Sequence, residues 1–285
     1  MITAPIVADS PDLARRRARA ALSVLAAAAT LLLAVIGLVA WFVLHGHLPA
    51  HHPDPGPDQV PSAAAPTDAG GWDLAAEKAL ATRPMLALPE VAEAPQPLAQ
   101  RPATATLHLP VATGDIGDVP AGFPNTPEGA VAALAALTTQ GMRDADPRTY
   151  SQAYQTVASP GAPPADQARL TRLLTDIRTS AGLAPTGPKA GLTMSWQPEQ
   201  AQIKGVLDGG RYVVACVLGQ FTADYQGRLV TYGVGDCQAL RWMTTDPHSG
   251  ATGQWLISPG PAAATAPDAW PGSQDSVNAG YLELR

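Results

Sequence analysis

The sequence predicts an α+β protein. Three helices pack on a curved antiparallel sheet, and a Pro-rich linker holds this domain beyond one N-terminal transmembrane helix. Three observations predict it. Residues 21–44 form an unbroken apolar run, and apolar residues at helical spacing recur in three segments between 126 and 181. From Gly191 the pattern turns to two-residue alternation.

The run ALSVLAAAATLLLAVIGLVAWFVL, residues 21–44, holds neither charge nor Pro. As a helix it spans about 36 Å, enough for a hydrocarbon core of roughly 30 Å with some tilt. Arg15, Arg16, Arg17 and Arg19 precede it, whereas His45, His47, His51 and His52 follow. The Arg cluster marks the cytoplasmic side. Residues 1–20 are therefore expected as a cytoplasmic tail at the lipid bilayer, and residues 45–285 as extracytoplasmic. A cleaved signal peptide is the alternative, but the run is long and HGHLPAHHP makes a poor cleavage site.

Residues 45–121 read as a Pro/Ala-rich linker, since Pro49, Pro53, Pro55, Pro57, Pro61 and Pro66 forbid regular structure. Within it residues 71–89 stand apart as a strap. Asp73 is placed to cap a short helix that ends before Pro84. So short a helix needs a surface, either its own domain or a partner. Trp72, Leu74, Leu80, Met85 and Leu86 are the residues expected to dock there.

The folded domain is expected over 122–258, with a Pro-rich tail over 259–285. Thr126 caps a first helix with Pro127 at its first position and Glu128 in its first turn. Asp146-Pro147 opens a second, with Tyr150, Ala153, Tyr154 and Val157 on one face. A third runs from about Ala165 to Ala181 with Leu170, Leu173, Leu174 and Ile177 aligned and Gly182 as its stop. Strands are expected at 192–196, 200–207, 211–222, 229–243 and 254–258, with Asp208-Gly209-Gly210 as a turn.

A two-residue loop at Gln226-Gly227 makes cross-strand partners sum to 453, which pairs Cys216 with Cys237. Counting outward from the loop places them at a non-hydrogen-bonded position, where Cα atoms approach to about 4.5 Å and a disulfide fits. The opposite face then gathers Val213, Val217, Phe221, Val230, Tyr232, Val234, Leu240 and Trp242 as core. A bulge at Gly233 or Gly235 is the feature able to shift this register.

Chemistry is sparse. No metal-ligand spacing, phosphate loop or nucleophile signature appears, so no catalytic, cofactor or metal residue is assigned and the reading is non-enzymatic. Asp208 and Asp224 read as turn residues. Asp236 and Tyr232 share a sheet face that reads as core. A net charge of −6 without a basic stripe argues against direct nucleic-acid binding. Homo-oligomer formation is left open.

Two passages, Trp72 to Met85 (WDLAAEKALATRPM) and Gly122 to Leu137 (GFPNTPEGAVAALAAL), resemble a group of uncharacterised single-pass membrane proteins of actinobacterial conjugative elements. The layout is similar to the scaffold proteins of type IV secretion and conjugation machines, with a tail, an anchor, a linker and an outer NTF2-like (cystatin-like) domain. The resemblance implies a scaffold or assembly component of an envelope-spanning transfer complex, with the membrane transfer machinery as partner. The alternative is a tethered extracytoplasmic module that binds a small ligand or peptide.

Overall fold

Two of the three helices on the sheet begin where a side chain replaces a missing backbone partner. The computed structural model describes residues 71–103, 105–244 and 253–285. The expected tail, the transmembrane run and the linker up to residue 70 lie outside these residues, as does His248. Among the described residues no helix is long and apolar enough to cross a membrane.

Helix α1 (Leu74–Thr82) starts at Asp73, whose carboxylate accepts the Ala76 amide. Three short strands follow: β1 (Thr106–Leu107), β2 (Gly114–Ile116) and β3 (Val119–Ala121). Helix α2 (Pro127–Gly141) is capped by Thr126, which accepts the Gly129 amide at 3.1 Å. Asp146 caps α3 (Pro147–Thr156) through the Arg148 amide, and α4 (Arg169–Ser180) ends at Gly182 in the left-handed region. The three expected helices are present: two start at their expected caps, and α4, which has no side-chain cap, starts four residues later than Ala165.

The sheet contains β4 (Leu192–Leu207), β5 (Tyr212–Tyr225), β6 (Arg228–Thr244) and β7 (Gly253–Ile257), with β8 (Leu282–Leu284) at the C-terminus after the short helix α5 (Gln274–Asn278). Its order is β1-β8-β4-β5-β6-β7, antiparallel throughout except where β1 meets β8. The strands expected at 192–196 and 200–207 are one strand, because register shifts at Pro198/Gln200 and Ile203/Gly205 absorb the break in alternation. The β5–β6 register is the expected one. Tyr225 faces Arg228, Cys216 faces Cys237, and Tyr212 faces Arg241. Gln226 and Gly227 both take positive φ, 54° and 82°, as a two-residue hairpin turn requires.

Gly233 and Gly235 cause no bulge. Their missing side chains instead make room for the C-terminal segment: a Cβ on Gly233 collides with the Ala269 carbonyl, and one on Gly235 lies 2.9 Å from the Ala266 methyl. That contact extends the folded body well beyond 122–258. Helices α2, α3 and α4 cover one face of the sheet over Val213, Val217, Phe221, Val234 and Leu240. The other face, which carries the cysteines, is covered by α1 with its following strap and by residues 263–281. Both the linker from Gly71 onward and the Pro-rich tail are therefore parts of the fold.

Candidate interaction surfaces

The helix-facing side of the sheet is the first place to look for chemistry, and Asp236 is its one acidic group there. It is fully buried. Tyr150 donates to it at 2.8 Å, Gln238 at 2.9 Å and Thr138 at 3.4 Å. Burial raises its pKa, and these donors together with Arg169 work against that rise. The phenol beside Asp236 comes from α3 and is not Tyr232, which is 45% exposed near the hairpin tip. The nearby gap bounded by Phe123, Leu137, Val157 and Trp255 holds about 10 Å³, room for at most one water. Asp236 thus sits in a satisfied polar knot, and the open pocket of about 410 Å³ on this side is lined instead by Thr139, Arg143, Asp144, Met194, Ser195 and Trp196.

The strap side is polar at both ends of α1. Two guanidinium groups lie over the Trp72 ring, Arg211 at 4.3 Å and Arg241 at 4.2 Å from its centroid. Arg241 also pairs with Glu77, and both are almost fully buried. Tyr212 donates to the Glu77 carbonyl, and Asp208 accepts the Asp73 amide. Burial, and next a hydrogen bond with Asp208, push the Glu77 pKa up to about 7 against the pull of Arg241. At the other end Lys204, the extra residue at the Ile203/Gly205 shift, donates to the carbonyls of Ala81 and Arg83. The bulge thus aims a cation at the negative end of α1.

The expected docking residues divide. Leu80 lies against Gly205, and Met85 packs on residues 263–281 while its remaining surface lines the groove between strap and tail. Leu74 and Leu86 are about half exposed. Between the strap and the tail runs an open groove of about 540 Å³ lined by Met85, Leu86, Leu88, Glu93, Pro267 and Asp268. Burial raises the pKa of Glu93 and of Asp268, the latter held down by its ion pair with Arg169.

The cysteines form the expected disulfide, with Cα atoms 4.0 Å apart, beneath the strap and tail. Asp224 accepts the Gly227 amide at the hairpin turn, and Asp208, with φ of 52°, starts the turn before β5. Both are turn residues, as their sequence context implied. At the tip of the β5–β6 hairpin Leu229, Val230 and Tyr232 are 64%, 47% and 45% exposed, so the last two leave the expected core. Among the described residues no cluster of His, Cys, Asp and Glu is suited to a metal ion.

Comparison with protein-family models, with curated proteins and with solved structures finds no match.

Proposed function

We propose that this chain is a membrane-anchored, non-enzymatic scaffold of an envelope-spanning conjugative, type IV secretion-like transfer complex. The observation that carries the proposal is the contrast between the two kinds of surface. The helix-facing core is filled around Asp236, while large apolar side chains stand exposed at the hairpin tip and along the strap. Helices on one face of a largely antiparallel sheet are also what an NTF2-like domain of such scaffolds presents. Residues 1–44 supply the anchor in this reading, with the described domain extracytoplasmic.

In-membrane crosslinking followed by affinity recovery of the full chain tests it. A membrane ATPase or pore component should be recovered at stoichiometric yield. Recovery of neither overturns the proposal.

The groove between strap and tail favours a second reading, a tethered module for a small ligand or peptide. Its volume is in the range of ligand clefts, and it joins apolar walls to two carboxylates. In that case the groove variant Leu86→Arg loses its partner while the hairpin tip is dispensable.

A further inference from the structure

We infer that this chain forms a homodimer by pairing the outer edge of β6, residues Arg228–Tyr232, antiparallel with the same edge of a second copy. The inference stands on this edge alone and does not rest on the transfer-complex reading.

The edge is open by construction. β6 is paired with β5 along its length, but β7 covers it only from Leu240 to Thr244. Next along the edge, the Gly235 amide and carbonyl are taken by Asp268 and Arg169. From Arg228 to Tyr232, among the described residues, the outer edge has no strand and no hydrogen bond. Cys216 and Cys237 form a non-hydrogen-bonded pair, so odd-numbered residues of β6 turn their N–H and C=O groups outward. Leu229 and Thr231 are the residues that do so in the open window.

Monomeric proteins blunt such an edge with Lys, Pro, a bulge or a covering loop. Here the window reads RLVTY, with a single charge at its end and neither Pro nor bulge. The window is also its own complement. It is centred on Val230, with the hairpin turn at Gly227 on one side and the buried Gly233 beneath Ala269 on the other. A two-fold axis at Val230 sets Leu229 opposite Thr231 of the second copy, and the reverse. Those two hydrogen-bonded pairs satisfy all the outward groups of both residues. The same axis sets Val230 against Val230 at a close, non-hydrogen-bonded position, and Arg228 over the ring of Tyr232. The exposed apolar side chains and the lone charge are each matched, with no like charges opposed. A second copy therefore answers the edge in register, polarity and charge.

The test uses the full chain in detergent. The native cysteines are locked in a buried disulfide, so an added cysteine is the only free thiol. Val230→Cys would sit in the same type of pair as Cys216 and Cys237, at a spacing a disulfide accepts. It should give a reducible dimer at least tenfold faster than Gln152→Cys on the exposed face of α3. Light scattering should give twice the chain mass at micromolar concentration for the wild type and the single mass for Val230→Lys, with thermal unfolding unchanged. A monomeric wild type overturns the inference and leaves the edge to some other chain. A dimer that survives Val230→Lys, or equal crosslinking of the two cysteine variants, overturns it by placing the contact elsewhere.

Discussion

Among the described residues Arg178 is the largest fully buried side chain, and it has no acidic partner there. Its guanidinium donates instead to three carbonyls: Ala184 at 2.7 Å, Gly187 at 2.5 Å and Ala145 at 3.3 Å. These belong to the loop that follows α4 and to the short 3-10 turn Arg143–Ala145 that precedes α3, so one side chain ties the two connections together. Asp146 completes the tie by accepting the Gly187 amide while it caps α3. Removing the guanidinium leaves the buried Ala145 carbonyl unpaired and takes the partner from two carbonyls of the more open loop after α4. Each such loss costs about 1 kcal/mol or more. Arg178→Ala should therefore lower stability by roughly 3 kcal/mol in denaturant titration. Arg178→Lys should recover only a part of it, since one ammonium cannot span three carbonyls in a plane.

Element by element, the two faces of the sheet were unequally legible. The caps at Thr126 and Asp146 and the spacing of Leu170, Leu174 and Ile177 announce the helices that cover one face. The Gln226-Gly227 loop sets the register that brings the cysteines together. The cover of the other face carries no such sign. The segment 259–270 is held by single methyl groups, Ala263, Ala266 and Ala269, by scattered backbone hydrogen bonds and by Asp268, and Ala/Pro-rich sequence has no periodicity to read. A signal did exist in β5, where every residue from Tyr212 to Leu218 is apolar. A strand that faces water on one side alternates, whereas one buried on both sides does not. The hairpin tip was misjudged for the complementary reason. Val230 and Tyr232 continue the apolar parity of the core, but the helices end short of them.

The strap is the element whose attachment can be broken separately. Leu80 fills the space above Gly205, where a Cβ would lie 2.6 Å from its Cδ1. Gly205→Val forces Leu80 out while the sheet face on the helix side is untouched. Trypsin should then cut after Lys78 at least tenfold faster, since the Arg83–Pro84 bond resists it, with the Cys216–Cys237 bridge still formed. Unchanged cleavage would mean that the polar contacts at Lys204 and Asp208 hold the strap without Leu80.

At the scale of the whole molecule, the strap brings a carboxyl group under the sheet, and this couples stability to pH. Glu77 is 4% exposed and faces Arg241 and Asp208, with the Trp72 ring 4.2 Å from the Arg241 guanidinium and Tyr212 donating to the Glu77 carbonyl. Its pKa stands at about 7 in the folded chain, chiefly through burial, against an ordinary 4.5. Between these values the folded chain holds a proton that the unfolded chain has released. Stability from this group is complete below pH 4.5, falls as pH rises, and is lost once pH passes about 7. A difference of this size corresponds to on the order of 3 kcal/mol. Asp236, also raised by burial, adds a slope of the same sign. The usual carboxylate, stabilised by an ion pair, gives the opposite sign. Denaturant midpoints measured from pH 4 to pH 8 should fall with pH in the wild type. In Glu77→Gln, which keeps a neutral side chain of the same shape beside Arg241 and Asp208, most of that fall should vanish. Should the slope persist in Glu77→Gln and vanish in Asp236→Asn, the coupling lies in the core knot at Tyr150 and the strap is indifferent to pH.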